Sequence, residues 1–175
     1  TMYPRATYRL QFRGDMGFAR AASLAPYLRS LGISHLYASP VFSAVPGSTH
    51  GYDVTDHNEI EPELGGRAGF DALCDALRRD GLGLILDIVP NHMAASPHNP
   101  WWRDVLRHGR SSRFARHFDI DWSENRLVLP VLGAPYGEAL AAGRFSLDVA
   151  WSGLALRYYE NSLPLAPATW GLAAA

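Results

Sequence analysis

A carboxylate, an amide and an imidazole follow one another closely in the segment D-I-V-P-N-H, which contains Asp87, Asn91 and His92. These side chains could hydrogen-bond a hydroxylated substrate or take part in acid–base chemistry. Asp87 lies near the end of an aliphatic run, where burying a carboxylate without a partner is costly. We therefore expect Asp87 to have a partner. The alternative is a structural role, in which Asp87 caps backbone amides and His92 fixes a loop.

A second group of polar and aromatic side chains lies in residues 39–66, a segment for which we predict no helix or strand. Connections longer than about 12–15 residues are usually functional or disordered, and the apolar residues of this segment argue against disorder. Its candidate ligand-binding residues are His50, Tyr52, Asp53, Asp56 and His57. An aromatic ring beside carboxylates and imidazoles suits a sugar, because a sugar has an apolar ring face and a rim of hydroxyls. The alternative is an ordered surface loop held by its own side chains.

Other chemistries have weaker support. The spacing of the histidines and aspartates in residues 50–57 matches neither the zinc patterns nor the calcium-binding loop, so we expect no metal and no cofactor. Cys74 is the single cysteine and lies at helical spacing among apolar residues, which favours a buried thiol and excludes a disulfide framework. The sequence contains no G-x-S-x-G, no G-x-G-x-x-G and no phosphate-binding loop.

Alternating strands and helices must position these groups. Strands are predicted over residues 6–12, 35–38 and 82–89, and helices over residues 18–31 and 67–80, the first of them interrupted at Pro26. The third strand is almost entirely aliphatic, which is typical of a parallel strand buried on both faces. This order indicates an α/β fold with a parallel sheet. Beyond the third strand, residues 93–175 are predicted to form an irregular inserted subdomain, whereas residues 1–92 form the first βα units.

The composition limits the possible partners. The chain is 47% hydrophobic and 19% charged, with a formal net charge of −1, so the concentrated basic surface of a nucleic-acid-binding protein is not expected. No stretch approaches the ~20 continuous apolar residues of a membrane span, and the start of the chain does not read as a signal peptide. A cytoplasmic protein that binds neither nucleic acid nor membrane is the expectation.

Several motifs resemble one enzyme family. D-I-V-P-N-H (87–92) resembles the first conserved region of the α-amylase family, at the end of its third barrel strand. The segments A-T-Y-R-L-Q-F (6–12), P-G-S-T-H-G-Y-D-V-T-D (46–56) and P-E-L-G-G (62–66) resemble its maltooligosyltrehalose synthase branch. This resemblance implies a (β/α)₈ TIM barrel, of which the chain supplies the first three strands, followed by the inserted subdomain.

The resemblance also implies a reaction. A retaining intramolecular transglycosylation would convert the reducing-end α-1,4 linkage of a maltooligosaccharide or glycogen-derived α-glucan to an α,α-1,1 linkage. The family's nucleophile and acid/base residues are expected beyond Ala175, so the 175-residue chain alone is predicted to be inactive. Alternatives are another glucan hydrolase or 4-α-glucanotransferase of the same family, and a non-catalytic glucan-binding fragment.

Site roles follow from the same resemblance. Tyr52 would stack on the sugar at the bond that breaks, and His92 would hydrogen-bond the primary hydroxyl of that sugar. Asp53 and His50 are further substrate-binding candidates, whereas Asp87 and Asn91 would support the site, Asp87 through an arginine on the fourth barrel strand. Three strands alone leave an open sheet edge, which the remainder of the barrel or self-association is expected to cover.

Overall fold

The chain folds as two compact units, Thr1–Ala94 and Ala95–Ala175, each of which is described by itself. The computed structural model describes residues 3–124, 126–150 and 153–173. The interpretation of the second unit as an inserted subdomain stays a prediction.

A parallel sheet forms the centre of the first unit. Its three strands are β1 (Thr7–Leu10), β2 (His35–Ala38) and, later in the chain, β5 (Gly83–Leu86). The strand order is β1-β2-β5, with β2 in the middle. The register aligns Arg9 of β1 with Tyr37 of β2, and Tyr37 with Ile85 of β5. Parallel pairing therefore brings the carboxyl ends of all three strands to one edge of the sheet.

Helices connect these strands, as the apolar periodicity predicts. The predicted first helix is divided into α1 (Phe18–Ser23) and α2 (Ala25–Ser30), and Pro26 lies in the first turn of α2. A proline fits there because the first-turn amides have no intrahelical partner. The second helix is α3 (Gly66–Arg79). Both βα connections are thus present in the first unit.

The core of the first unit lies between the sheet and these helices. Phe18 of α1 is fully buried, and its ring lies 5.4 Å from the ring of Phe12 and 5.5 Å from that of Phe70 on α3. The remaining large buried side chains come from the strands and helices alike: Leu28, Leu36, Leu73 and Leu77. Burying such side chains stabilises a fold by about 1.5–3 kcal/mol each, and here it fixes the sheet against the helices.

The structure corrects three sequence predictions for this unit. Residues 39–66 contain an antiparallel hairpin, β3 (Phe42–Ala44) and β4 (Val54–Ile60), and a 3₁₀ turn, Pro62–Leu64. Strand β5 is not buried on both faces, since its first three residues are only partly buried and Leu86 is exposed. Cys74 is only partly buried, because it lies at the margin of the face that α3 packs inward.

The described part of the second unit contains three α-helices, irregular segments and an antiparallel sheet. Its elements are α4 (Pro100–His108), α5 (Tyr136–Ala141), β6 (Phe145–Ala150), β7 (Gly153–Tyr158), β8 (Asn161–Pro164) and α6 (Trp170–Ala173). The buried side chain of Asn99 caps α4 by accepting hydrogen bonds from the amides of Trp101 and Trp102. Trp101 stacks on Phe114, with ring centroids 5.1 Å apart.

Across the described parts of the chain, every helix is too short or too polar to cross a bilayer.

Candidate functional site

Asp87 is the centre of a hydrogen-bonded cluster at the carboxyl edge of the parallel sheet. Its Oδ2 atom accepts hydrogen bonds from Tyr52 Oη at 2.5 Å, Tyr37 Oη at 3.2 Å and Arg9 Nη2 at 3.2 Å. The side chain of Asp87 is 15% exposed. The cost of burying this carboxylate is therefore offset by one cation and two hydroxyl donors.

The strand register explains why three of these residues meet. Side chains alternate between the faces of a strand, so Asp87 shares a face with Ile85, which is aligned with Tyr37. The backbone amide of Asp87 donates to Ala38 at 2.9 Å and extends this pairing past the end of β5. Arg9 is aligned with Tyr37 from the other side, and its guanidinium lies 5.3 Å from the centroid of the Tyr37 ring. One side chain from each strand thus reaches the same point.

Tyr52 comes to this point from the β3–β4 connection. Its hydroxyl also accepts a hydrogen bond from Arg9 Nη2 at 3.1 Å. The Tyr52 ring is therefore held at its far end by two charged groups, while the ring itself is partly exposed. An aromatic face held in one orientation is preorganised for stacking on a ligand.

The cluster changes the acidity of both partners in the short hydrogen bond. The hydrogen bond from Tyr52, followed by those from Arg9 and Tyr37, lowers the pKa of Asp87 although burial opposes this shift. The same bond, with burial, raises the pKa of Tyr52 against the opposing influence of Arg9. The result is an ionised carboxylate beside a protonated phenol at neutral pH, so the cluster holds its proton on Tyr52.

His50 and Asp53 belong to the same connection but not to the Asp87 cluster. The Ser48 hydroxyl donates to Asp53 Oδ1 at 2.5 Å and accepts the amide of Gly51 at 3.0 Å. The amide of Tyr52 donates to Nδ1 of His50 at 3.0 Å, which places the imidazole proton of a neutral His50 on Nε2. The rings of His50 and Tyr52 are nearly parallel, with centroids 6.0 Å apart. Both residues therefore shape the loop on either side of Tyr52.

Asn91 and His92 lie on the exposed segment after Asp87. Nδ1 of His92 lies 3.0 Å from Oδ1 of Asn91, and both side chains are exposed. Within residues 3–124, no hydrogen bond or ion pair joins either of them to Asp87 or Tyr52. The structure thus brings Tyr52 and Asp87 into contact and leaves His92 on a neighbouring surface segment.

Arg9 and Tyr37 are the members of the cluster that the sequence analysis missed. A charged residue in a strand whose neighbours are aromatic and aliphatic is the signal that could have identified Arg9, since a buried carboxylate needs a cation. The arginine in contact with Asp87 is Arg9 of β1. The expected pairing with an arginine on a fourth strand stays a prediction.

In the part of the chain that the structure describes, no three His, Cys, Asp or Glu side chains are placed to hold a metal ion.

Comparison with known proteins identifies the family. The profile of the α-amylase catalytic domain matches residues 21–126, a segment that includes Tyr52, Asp87 and His92. The chain belongs to the α-amylase family. Within the α-amylase family, a putative maltooligosyl trehalose synthase of Mycobacterium tuberculosis is 46% identical over 171 residues, which is 93% of this chain and 21% of the relative.

Solved structures agree with this placement. Maltooligosyltrehalose synthase from Arthrobacter ramosus matches with a TM-score of 0.86 and 41% identity, over 95% of this chain and 22% of that one. A hypothetical maltooligosyl trehalose synthase from Sulfolobus tokodaii matches with a TM-score of 0.84 and 41% identity, with the same coverage of 95% and 22%. The resemblance to this branch of the α-amylase family is confirmed. The chain spans about a fifth of the length of these relatives.

Proposed function

We propose that this chain is the N-terminal portion of an enzyme that rearranges α-glucans, converting the reducing-end α-1,4 linkage of a maltooligosaccharide to an α,α-1,1 linkage. The observation that carries the proposal is the 46% identity over 93% of the chain to a putative maltooligosyl trehalose synthase. In the full-length protein, β1, β2 and β5 would be the first three strands of a (β/α)₈ barrel. A cytoplasmic location stays a prediction from the sequence.

Tyr52 would provide the surface on which the sugar stacks. Its hydroxyl is held by Asp87 and Arg9, so the plane of the ring is fixed before substrate arrives. Fixing a binding surface in advance lowers the entropy cost of binding. Asp87 supports this arrangement, because its ionised carboxylate accepts a hydrogen bond from the Tyr52 hydroxyl and pairs with Arg9.

The polar residues around Tyr52 would hydrogen-bond the hydroxyls of the sugar. His92 is exposed and would contact the primary hydroxyl, with Asn91 fixing its ring through the 3.0 Å contact at Nδ1. His50 and Asp53 flank Tyr52 and retain exposed side-chain surface, at 53% and 30% respectively. They would contact hydroxyls at the rim of the same sugar.

The covalent steps would fall to carboxylates in the remainder of the protein. In a retaining glycosyl transfer one carboxylate attacks the anomeric carbon and a second protonates the leaving oxygen, with the two groups about 5–5.5 Å apart. The released glucose would stay bound, and its anomeric hydroxyl would attack the glycosyl enzyme, giving its proton to the second carboxylate while the bond to the first carboxylate breaks. Excluding water from that intermediate favours transfer over hydrolysis.

An assay of the full-length protein tests the proposal. We expect incubation with maltohexaose to remove reducing ends without a matching release of glucose, because the product has no free reducing end. A steady rise in reducing ends would instead identify a hydrolase. That outcome is the main alternative, since neopullulanase 2 of Thermoactinomyces vulgaris is 40% identical over 96 residues, which is 55% of this chain.

The 175-residue chain alone provides a second test. We expect it to give no turnover of maltohexaose, because the proposed nucleophile and acid/base residues lie beyond Ala175. A non-reducing product formed by the chain alone would overturn this assignment of the chemistry. Binding of maltohexaose without turnover is the result expected of a non-catalytic glucan-binding fragment.

A further inference from the structure

The guanidinium of Arg13 lies against the backbone of the loop that bears Tyr52. Its Nη1 atom donates to the carbonyl of Phe12 at 2.7 Å and to that of Pro40 at 3.2 Å. These carbonyls follow β1 and β2 respectively, so the plane of the guanidinium is fixed to the edge of the parallel sheet. Arg13 is partly buried there.

Gly51 is the point of contact on the loop. Gly51 is buried, and a Cβ atom added to it would lie 1.8 Å from Nη2 and 2.4 Å from Cζ of Arg13. Its φ angle is +77°, a value that residues with a side chain rarely adopt. The backbone of Gly51 therefore rests on the face of the guanidinium, and both its conformation and this close approach require glycine.

The placement of Arg13 is not explained by an ion pair. Its Nη2 atom is buried and has no hydrogen-bond partner within the described residues. Burial lowers the pKa of Arg13, and the negative charges of Glu61, Asp53 and Glu63 oppose this shift without contacting the guanidinium at salt-bridge distance. A buried donor without a partner destabilises a fold, because it loses its hydrogen bonds to water and gains none in return. The flat shape of the Arg13 guanidinium and its fixed position against Gly51 therefore explain its placement better than an ion pair does.

The contact continues directly into the candidate sugar-binding residues. The amide of Gly51 donates to the Ser48 hydroxyl, which donates to Asp53 Oδ1. The next residue is Tyr52, whose amide donates to His50 and whose hydroxyl reaches Asp87. A shift of the Gly51 backbone would therefore move Tyr52 and the residues on both sides of it.

We propose that Arg13 is a positioning residue, which supports Gly51 and so sets the height and tilt of the Tyr52 ring relative to the sheet edge. This inference rests on the proposed function, in which Tyr52 stacks on the sugar. Arg13 itself would touch no substrate. It would act through the loop, and its effect on turnover would depend on Tyr52.

A double-mutant cycle in the full-length protein tests this dependence. Displacement of a binding group by about 1 Å can lower a rate about 100-fold, so we expect Arg13→Met to lower kcat/KM for maltohexaose by about 10- to 100-fold. In a Tyr52→Ala background the same change should lower kcat/KM by less than about twofold, since coupled residues are not additive. An equal effect of Arg13→Met in both backgrounds would overturn the proposal.

Two further variants complete the test: a control at another arginine, and a substitution at Arg13 that keeps the charge but not the flat guanidinium. Arg20→Met is the matched control, because Arg20 is an exposed arginine on α1, and we expect it to leave kcat/KM unchanged. Arg13→Lys keeps the charge but has no planar guanidinium, so its activity should stay below that of the wild type. It also keeps the test valid if Arg13→Met does not fold. Wild-type activity of Arg13→Lys would contradict a role for the flat shape.

Hydrogen–deuterium exchange tests the loop contact without relying on activity. The amides of Gly51 and Tyr52 are both hydrogen-bonded to side chains of the loop, so Arg13→Met should speed their exchange and Arg20→Met should not. Unchanged exchange would overturn the inference whatever the enzyme does. If the wild type transforms no maltohexaose while Arg13→Met speeds exchange, the proposed function fails and the support of the loop by Arg13 stands.

Discussion

The hydroxyl of Tyr52 donates a 2.5 Å hydrogen bond to the carboxylate of Asp87, across 35 residues of sequence. This bond joins the β3–β4 connection to the end of β5, and Arg9 contacts both partners. A loop side chain and a strand-end carboxylate thus form one hydrogen-bonded pair, and the contribution of each partner can be measured by mutation.

Tyr52→Phe and Tyr52→Ala distinguish the contribution of the Tyr52 hydroxyl to activity from that of its ring. Tyr52→Ala removes the proposed stacking surface, and we expect it to lower kcat/KM for maltohexaose in the full-length protein by about 100-fold or more. Tyr52→Phe keeps the ring but frees its far end, so the loss should be about 10-fold. Thermal unfolding of each variant checks that the fold is intact. An unchanged rate in Tyr52→Ala would remove Tyr52 from the site.

The lowered pKa of Asp87 predicts a loss of stability in acid. Since the pKa is lower in the folded than in the unfolded state, the carboxylate stabilises the fold fully above the unfolded value of about 3.9. This stabilisation is lost as the pH falls below that value through the folded pKa. Urea unfolding at a series of pH values measures the free energy of unfolding that is lost in acid. This acid loss should be smaller for Asp87→Asn than for the wild type.

Asp15→Asn is the matched control for that experiment, because Asp15 is an exposed aspartate of the same unit. Its acid loss should equal that of the wild type. Equal acid losses for Asp87→Asn and the wild type would contradict the contribution assigned to the Asp87 cluster.

Ser39→Ala should destabilise the junction between β1 and β2. Ser39 is fully buried, and its hydroxyl accepts the amide of Phe12 at 2.7 Å. Without the hydroxyl this buried amide has no partner, which reduces the free energy of unfolding by about 1–3 kcal/mol. Urea unfolding measures the change. Ser23→Ala, at an exposed serine of α1, should stay within about 0.5 kcal/mol of the wild type.

Gly83→Ala should destabilise the sheet through His35. A Cβ atom at Gly83 would lie 2.2 Å from Cδ2 of His35, whose side chain is buried in the neighbouring strand. Moving a buried ring to make room costs about 1–3 kcal/mol. Gly137→Ala is the control, because nothing lies within 4 Å of that position in α5. It should be neutral or stabilising by about 0.5–1 kcal/mol, as measured by urea unfolding.

The parallel sheet and its helices follow from local sequence patterns. The bounds of β2 are those predicted, and β1 and β5 are shorter than their predicted runs because pairing with β2 covers only four residues of each. The restart of the helix at Pro26 follows from the missing amide of proline. Such features depend on residues near one another in the sequence, so they can be read directly from it.

The hairpin and the Asp87 cluster depend on distant contacts and were harder to predict. Strand β4 reads V-T-D-H-N-E-I, which lacks the apolar alternation of a half-buried strand, and β3 has only three residues. Arg9 lies 78 residues from Asp87, and its role becomes visible only when the register places it beside Tyr37. The need of Asp87 for a partner could be predicted, whereas the identity of that partner required the fold.

The arrangement around Asp87 also bears on how the first unit folds. Its three side-chain partners lie 78, 50 and 35 residues away in the sequence, on two strands and a hairpin loop. Contacts between distant residues require large loops to close, and chains rich in them fold slowly. The ionised Asp87 gains its donors only when β1, β2, β5 and the hairpin have all come together. The lowered pKa of Asp87 therefore reports complete assembly, because an intermediate that lacks one of these segments lacks the donor on it, and the pKa of Asp87 there is lowered less.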